Sequence, residues 1–362
     1  MAETLQMEGL GFEVPVGSID GELKKLWEAD EASTNASLMN FAVYSEDPGS
    51  LVRNSGIVRE FTEEHACRAI LIAMDREAGE ADIHAWITAH CHLAHGRKSV
   101  CCEQIAFLLR GTAAGRMRNT VFAHLASDLP LVFWWQGELT DLFEESLYRL
   151  IDRFVFDSAD WEDPAEGFAR IREAAEDVQH RIVVQDLSWT RSNHFRLAVA
   201  ALFDDLVAQR AIPEIEEVRI VAQPGHRTAA LLMLAWLATQ AQWRPGLELG
   251  LAAERAEGCD ECHLFESRGG KSVTARIDWD AEGAPLGLLE IGAPDLMLRI
   301  SREPGDTHLV HRLERAGHVL EQCGPADPDE SAELVGSQLS RGGRNSLFRK
   351  VWPAFFDLLG AG

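Results

Sequence analysis

The sequence is poor in basic residues and has no long apolar run. Its 34 Lys and Arg stand against 58 Asp and Glu, which gives a formal net charge of −24. A surface of that sign repels phosphate backbones and anionic headgroups, so nucleic acid and membrane surfaces are not expected as partners. The apolar run at 229–238 has about half the length of a membrane-spanning helix. Residues 1–10 lack the basic cluster and apolar run of a signal peptide.

Cysteine is also sparse. The chain has seven cysteines in 362 residues, an odd number. Secreted proteins that depend on disulfides are typically short and much richer in cysteine. We therefore expect reduced thiols and a cytoplasmic location.

The motifs of common nucleotide and hydrolase sites are missing. No Gly-x-Gly-x-x-Gly follows a predicted strand, and Gly115 leads into Arg116-Met117 instead of the Lys-Ser/Thr end of a phosphate loop. Gly-x-Ser-x-Gly and His-Glu-x-x-His do not occur. We predict no catalytic, cofactor-binding or metal-binding residue, although a site assembled from scattered residues would escape this search.

Strand-like and helix-like segments alternate up to residue 185. Residues 83–93 alternate with a period of two, residues 131–135 form an apolar strand, and helices are predicted at 113–126, 143–154 and 164–178. This order predicts an α/β domain at 1–185, with a mostly parallel sheet and flanking helices.

The pattern changes in the second half of the chain. A buried helix at 228–243 precedes five closely spaced strand-like runs between 272 and 322, which are separated by short turns. Such spacing indicates an antiparallel meander. Helices near 329–339 and 346–359 end the chain, and Pro353 should start or kink the last one. We predict an α+β domain at 186–362.

Two clusters contain residues that could ligate metal or exchange disulfides. His90, Cys91, His92, His95, Cys101 and Cys102 are metal-ligand types, but strand alternation turns Cys91 away from His90 and His92. We therefore expect Cys91 and one of Cys101 and Cys102 to be structural. Cys259 and Cys262 form an isolated Cys-x-x-Cys. It is either an inert pair or a redox pair, and the acidic residues between its cysteines disfavour the thiolate.

Two arginines lie where an anion could bind. Arg227 follows Pro224-Gly225 at a predicted helix start, and Arg116 lies in the first turns of the helix predicted at 113–126. A helix N-terminus with a nearby cation can hold phosphate. An ordinary turn with an N-cap, or solvated charges in local ion pairs, explains the same residues.

Four segments resemble one known family. They are Cys-Cys-Glu-Gln-Ile at 101–105, Asp-Leu-Pro-Leu-Val-Phe-Trp-Trp at 128–135, the block at 150–158 that ends Phe-Asp-Ser, and Asp-Leu-Ser-Trp-Thr-Arg at 186–191. In order and spacing they resemble the OpcA family of glucose-6-phosphate dehydrogenase assembly proteins, over residues 37–243.

The resemblance implies a non-catalytic protein that binds glucose-6-phosphate dehydrogenase, assembles or allosterically activates it, and supports the oxidative pentose phosphate pathway. Within the matching segments, Trp134, Trp135, Trp189 and Arg191 are candidates for contact with a partner. In a strand, Trp134 and Trp135 face opposite sides, so each either fills the core or marks an interface.

Two alternatives stay open at the sequence level. One is an enzyme that acts on a phosphorylated metabolite beside Arg116 or Arg227. The other is a thiol-based redox sensor that uses Cys259 and Cys262. The sequence leaves self-association undetermined.

Overall fold

The computed structural model describes residues 9–28, 37–94, 97–177, 182–246, 260–315 and 317–360. These residues form two eight-stranded sheets with helices. The chain divides into two compact units, one of Met1–Phe156 with Arg170–Val184 and the other of Asp157–Ala169 with Gln185–Gly362. The predicted fold class is confirmed, because one sheet is mostly parallel and the other mostly antiparallel. Independent domains at 1–185 and 186–362 stay a prediction.

The first sheet contains, in chain order, β1 (Phe12–Glu13), β2 (Asn40–Ser45), β3 (Arg68–Asp75), β4 (Ile83–Ala94), β5 (Arg97–Arg110), β6 (Leu131–Trp135), β7 (Arg153–Phe156) and β8 (Val183–Asp186). Their spatial order is β1-β4-β5-β3-β2-β6-β7-β8. Strands β5, β3, β2, β6 and β7 run parallel, and β4 pairs antiparallel to β5. Without β1 and β4, the order is that of a doubly wound, dinucleotide-binding sheet.

The central parallel strands are continuous apolar runs. All residues of β2 and β6 are buried, as are the six inner residues of β3. A strand that is covered on both faces has apolar residues at every position, without alternation between apolar and polar residues. The accompanying helices are α1 (Ile19–Glu28), α2 (Ser50–Phe61), α3 (Met117–Thr120), α4 (Glu145–Tyr148) and α5 (Pro164–Glu176).

Two predicted helices are much shorter than their apolar spacing indicated. The segment 113–126 contains only α3 between 3₁₀ turns, and the segment 143–154 contains only α4. Side chains distant in sequence hold the flanking backbone in other conformations. Arg170 donates to the carbonyls of Leu139, Thr140 and Phe143 at 2.6, 2.6 and 2.9 Å. The Asn40 side chain accepts from the Ala126 N–H at 2.8 Å.

The second sheet contains β9 (Glu217–Ala222), β10 (Arg244–Pro245), β11 (Glu261–Glu266), β12 (Ser272–Trp279), β13 (Leu286–Ala293), β14 (Leu296–Ser301), β15 (His308–Arg315) and β16 (His318–Pro325). Their spatial order is β10-β11-β12-β9-β13-β14-β15-β16. Strands β13 to β16 form an antiparallel meander as predicted. The first of the five predicted runs, β12, is not part of it, because β9 lies between β12 and β13. Strand β9 pairs parallel to β12 and antiparallel to β13.

The helices of this region are α6 (Leu187–Thr190), α7 (Asn193–Leu202), α8 (Leu206–Ala211), α9 (Arg227–Ala241), α10 (Ser331–Arg341) and α11 (Ser346–Leu359). Helix α9 is apolar on all sides and buried from Thr228 to Ala238, so the predicted buried helix is confirmed. Helix α11 continues through Pro353. In the described part of the chain, no helix combines the length and the apolarity needed to cross a membrane.

Candidate functional site

Ligands of a doubly wound sheet bind beyond the carboxyl ends of the strands, where the strand order reverses. Here that crevice lies between β2 and β6. The turn from β2 to α2 reads Glu46-Asp47-Pro48-Gly49. The Asp47 carboxylate accepts from the Gly49 N–H at 2.9 Å, and its main-chain carbonyl accepts from the Ser50 N–H at 3.0 Å. An acidic residue therefore already occupies donors at the start of α2.

The remaining polar groups of this crevice are paired with one another. Glu46 accepts from the Tyr44 hydroxyl at 2.7 Å and from the Thr140 hydroxyl at 2.6 Å, and it lies 3.2 Å from the Arg76 guanidinium. A dinucleotide pyrophosphate needs a glycine-rich turn and free N–H groups at this position. Two carboxylates on a turn with one glycine do not fit it, so we derive no dinucleotide chemistry from the fold.

A second polar cluster lies beyond the ends of β7 and β8. Asp157 and Arg191 are both buried, and the guanidinium donates to the two carboxylate oxygens at 2.8 and 2.6 Å. Burial alone would raise the pKa of Asp157, but its bonds to Arg191 hold that pKa below the ordinary value. Ser188 and Ser331 donate hydroxyl hydrogen bonds to the same carboxylate at 3.1 and 3.3 Å. Such a bidentate pair fixes both side chains.

Asp186 is the other buried carboxyl group of this cluster. It caps α6 by accepting from the Ser188 N–H at 3.0 Å, and it accepts from the N–H and hydroxyl of Ser158 at 3.1 and 2.7 Å. Burial and the neighbouring Asp157 charge raise the pKa of Asp186 to about 7. Both carboxyl groups are therefore engaged by the protein itself.

Helix α10 is held beside this cluster by further polar contacts. Gln338 accepts from the Thr190 hydroxyl at 3.0 Å. Asp327 accepts from the His194 N–H at 2.6 Å and lies 3.2 Å from the Arg341 guanidinium. The cluster ties α6, α7 and α10 together within the second unit. Most of its donors and acceptors are directed at each other, an arrangement that suits a rigid scaffold, although Arg191 Nε is buried without an acceptor.

The predicted contact tryptophans lie in the interior. Trp134, Trp135 and Trp189 are 3%, 0% and 3% exposed. The Trp135 indole donates to the Glu138 carbonyl at 2.7 Å, and the Arg196 guanidinium stacks over Trp189 at 3.5 Å. These side chains have almost no surface to offer a partner, and their role in an interface stays a prediction.

The two candidate anion contacts differ in environment. Arg227 donates two hydrogen bonds of 2.8 Å to Glu261. Burial raises the pKa of Glu261, but the bonds to His263 and Arg227 lower it to about 2, so the carboxylate is charged. An incoming anion would have to displace Glu261. Arg116 is exposed next to the four-residue helix α3.

The expectation of reduced cysteines is wrong for Cys91, Cys101 and Cys262. Cys91 and Cys101 form a disulfide, because antiparallel pairing of β4 and β5 places them directly opposite each other. Cys91 is exposed and does not join the buried apolar set. Cys102 and Cys67 are free and buried.

The other candidate cysteines and ligands can be placed in part. Cys262 takes part in a disulfide, and Cys259 lies outside the described residues. His90 bonds to Gln104 at 2.9 Å. Among the residues that the structure describes, no three His, Cys, Asp or Glu side chains are grouped to hold a metal ion.

Two family models match most of the chain. One is described as the N-terminal domain of a glucose-6-phosphate dehydrogenase subunit and matches residues 58–173. The other is described as the C-terminal domain of the same subunit and matches residues 182–352. Both are models of OpcA. The chain belongs to the OpcA family.

Curated OpcA relatives extend over most of the same chain. The OxPP cycle protein OpcA of Synechococcus elongatus is 24% identical over 321 residues, which cover 83% of this chain and 69% of the relative. The corresponding protein of Nostoc punctiforme is 30% identical over 327 residues, which cover 82% of this chain and 66% of the relative. The chain thus spans about two thirds of the length of these relatives.

Solved oxidoreductases have a similar fold. A 3-ketoreductase from Actinomadura kijaniata, solved with NADP, is 14% identical with a TM-score of 0.47, over 89% of this chain and 96% of that chain. A myo-inositol dehydrogenase from Corynebacterium glutamicum is 14% identical with a TM-score of 0.44, over 89% and 94%. Similarity with so low a sequence identity and TM-score says nothing about the cofactor or the activity of this chain.

The OpcA motifs account for much of the buried cluster. Asp157-Ser158 and the segment 186–191 supply its carboxyl groups and its arginine. Sequence reasoning singled out Arg191 but gave no role to Asp157 or Asp186. It missed Ser331 and Gln338, which are separated from their partners by 174 and 148 residues. No local pattern marks those two contacts.

Proposed function

We propose that this chain is a non-catalytic partner of glucose-6-phosphate dehydrogenase that assembles or allosterically activates it in the cytoplasm. The family models describe a subunit of that enzyme, and the relatives are named for the oxidative pentose phosphate cycle. These comparisons support a role connected with the dehydrogenase. Activation and direct contact are our own proposal.

The observation that carries the non-catalytic assignment is the turn after β2. Glu46 and Asp47 occupy the position where this strand order would bind a dinucleotide pyrophosphate. In the second cluster of titratable groups, the Asp157 carboxylate is held by Arg191 and by the Ser188 hydroxyl. The carboxyl groups described in both clusters, Glu46, Asp47, Asp157 and Asp186, are all engaged by hydrogen bonds from the protein, which favours binding over catalysis.

Activation by a non-catalytic partner requires differential binding. The chain must bind the active or assembled state of the dehydrogenase more tightly than the inactive state. A coupling of about 1–3 kcal/mol changes the population or the affinity by about 5- to 150-fold. An interface of ordinary size with a few anchoring residues supplies that free energy.

The test is an assay of the purified dehydrogenase from the same organism at sub-saturating glucose 6-phosphate, with and without this chain. We expect a higher rate or a more stable oligomer, and co-elution in size-exclusion chromatography. The chain alone should turn over neither glucose 6-phosphate nor NADP. If both proteins at micromolar concentration show no co-elution and no change in rate or stability, the proposal is wrong.

A further inference from the structure

One face of the second sheet is open. Helices α7 and α9 pack against the sheet, and Val218, Ile220 and Leu298 point into that core. The side chains that alternate with these along each strand point to the other face of the sheet. There Met297 is 40% exposed and Val319 is 54% exposed. Apolar side chains are therefore exposed both in the middle and at the edge of this face.

Arginines cross this open face in a single row. Strand pairing places Arg276 opposite Arg219, and Arg219 opposite Glu290. It continues the row by placing Glu290 opposite Arg299, and Arg299 opposite Arg312. The final position is Glu321 on β16, opposite Arg312. We call these six residues the arginine row.

The arginine row is not explained by stability of the sheet. Like charges directly opposite each other on neighbouring strands are destabilising, and the row contains two such pairs, Arg276 with Arg219 and Arg299 with Arg312. Arg276 is exposed and makes no ion pair among the described residues. Such an arrangement is consistent with a surface selected for contact with a partner.

The existing ion pairs of the row are easily exchanged. The side chains of Arg219, Arg299 and Arg312 are 47%, 53% and 43% exposed, and they pair with Asp278, Glu290, Glu314 and Glu321. Exposed pairs of this kind contribute little to folding. Carboxylates on a partner can therefore replace the internal ones at small cost.

The charge of this sheet differs from that of the chain as a whole. The eight strands of this sheet contain six arginines and seven acidic residues, a net charge of −1, whereas the whole chain carries −24. A second copy would bring the same strong negative charge and be repelled. The sheet lies entirely within residues 182–352, the part of the chain that matches the second of the two family models.

We propose that this open sheet face is the docking surface for the dehydrogenase. The inference rests on the proposed function and assigns its contact surface. The partner surface has carboxylates opposite the arginine row and apolar side chains opposite Met297, Val310 and Val319. The occupant is a broad protein surface, and the contact weakens as salt screens the charges.

The experiment compares two charge reversals by binding to the immobilised dehydrogenase and by size-exclusion chromatography of each chain alone. Arg276→Glu reverses the charge of one member of the arginine row. It also removes the like-charge repulsion between Arg276 and Arg219, so folding is not weakened. Arg118→Glu makes the same charge change at an exposed arginine on α3. We expect Arg276→Glu to raise the dissociation constant by about tenfold and to reduce its salt dependence, with Arg118→Glu close to wild type.

The outcomes separate the two proposals. If the wild-type chain does not bind the dehydrogenase, the proposed function is wrong and this inference falls with it. If the wild type binds and both reversals bind equally, the function stands and the docking surface is wrong. A change only in self-association identifies a second copy as the occupant and also overturns the inference. Thermal melts check folding, and Arg276→Gln replaces the reversal if Arg276→Glu does not fold.

Discussion

Arg191 and Asp157 are joined by two parallel hydrogen bonds of 2.8 and 2.6 Å, although 34 residues separate them in the chain. Both side chains are almost inaccessible to solvent. Within the second unit, the pair connects the turn at Asp157 to the end of α6, and Ser331 attaches α10 to the same carboxylate. A buried pair of this kind fixes one arrangement of the surrounding elements and makes the loss of either partner costly.

Replacing Arg191 by Met should destabilise the chain by about 3–5 kcal/mol, because the charge of Asp157 stays buried without its partner. Arg219→Met is the matched control, since its 2.6 Å pair with Asp278 is exposed, and it should cost less than about 1 kcal/mol. Urea unfolding measures both. If both variants lose the same unfolding free energy, the buried Arg191–Asp157 pair is no more important for stability than the exposed pair, and the prediction is wrong.

Asp186 should make stability fall as pH rises from about 4 to about 7. Burial and the Asp157 charge raise its pKa from the ordinary 3.8 to about 7. In that window the unfolded chain releases the proton while the folded chain retains it, so the contribution is complete below pH 4 and is lost by about pH 7. Asp186→Asn removes the titration.

Urea unfolding at several pH values checks this prediction. The difference in unfolding free energy between wild type and Asp186→Asn should slope through the window. A flat difference for Asp186→Asn would show that its hydrogen bonds to Ser158 and Ser188 keep the carboxylate ionised.

Loss of the Cys91–Cys101 disulfide should destabilise the folded chain by up to about 3 kcal/mol, because the bond closes a short loop and restricts the unfolded state. Cys91→Ser tests this in thermal and urea unfolding. Cys323→Ser is the control, because Cys323 is free and exposed. If a reducing agent lowers the stability of wild type and Cys91→Ser equally, the effect does not come from this bond.

The chain should not bind NADP. Phosphate groups placed after β2 would meet the carboxylates of Glu46 and Asp47. Isothermal titration at millimolar NADP should give no saturable heat, whereas the dehydrogenase in the same buffer should. Saturable binding to this chain that is altered by Asp47→Asn would contradict the non-catalytic assignment and restore the enzyme alternative.

The sequence predicted the strands better than the helices. Apolar runs such as 131–135 have a local physical cause, because a strand covered on both faces must be apolar throughout. The helix predicted at 143–154 ends at Tyr148, because the Asp152 N–H donates to the Leu131 carbonyl and Arg153–Phe156 pair with β6 as strand β7. A helical spacing of apolar residues cannot report pairing with a strand that is distant in the sequence.

The sequence by itself determined the class of each half, the buried helix α9, the acidic charge and membership of the OpcA family. These follow from composition, from periods of two and 3.6 residues, and from short motifs, all of which are local. Only the tertiary structure decided that Cys91 faces Cys101, that Asp157 meets Arg191, and that four arginines form one row. Register and long-range pairing decide those contacts, since they depend on the packing of residues far apart in the chain.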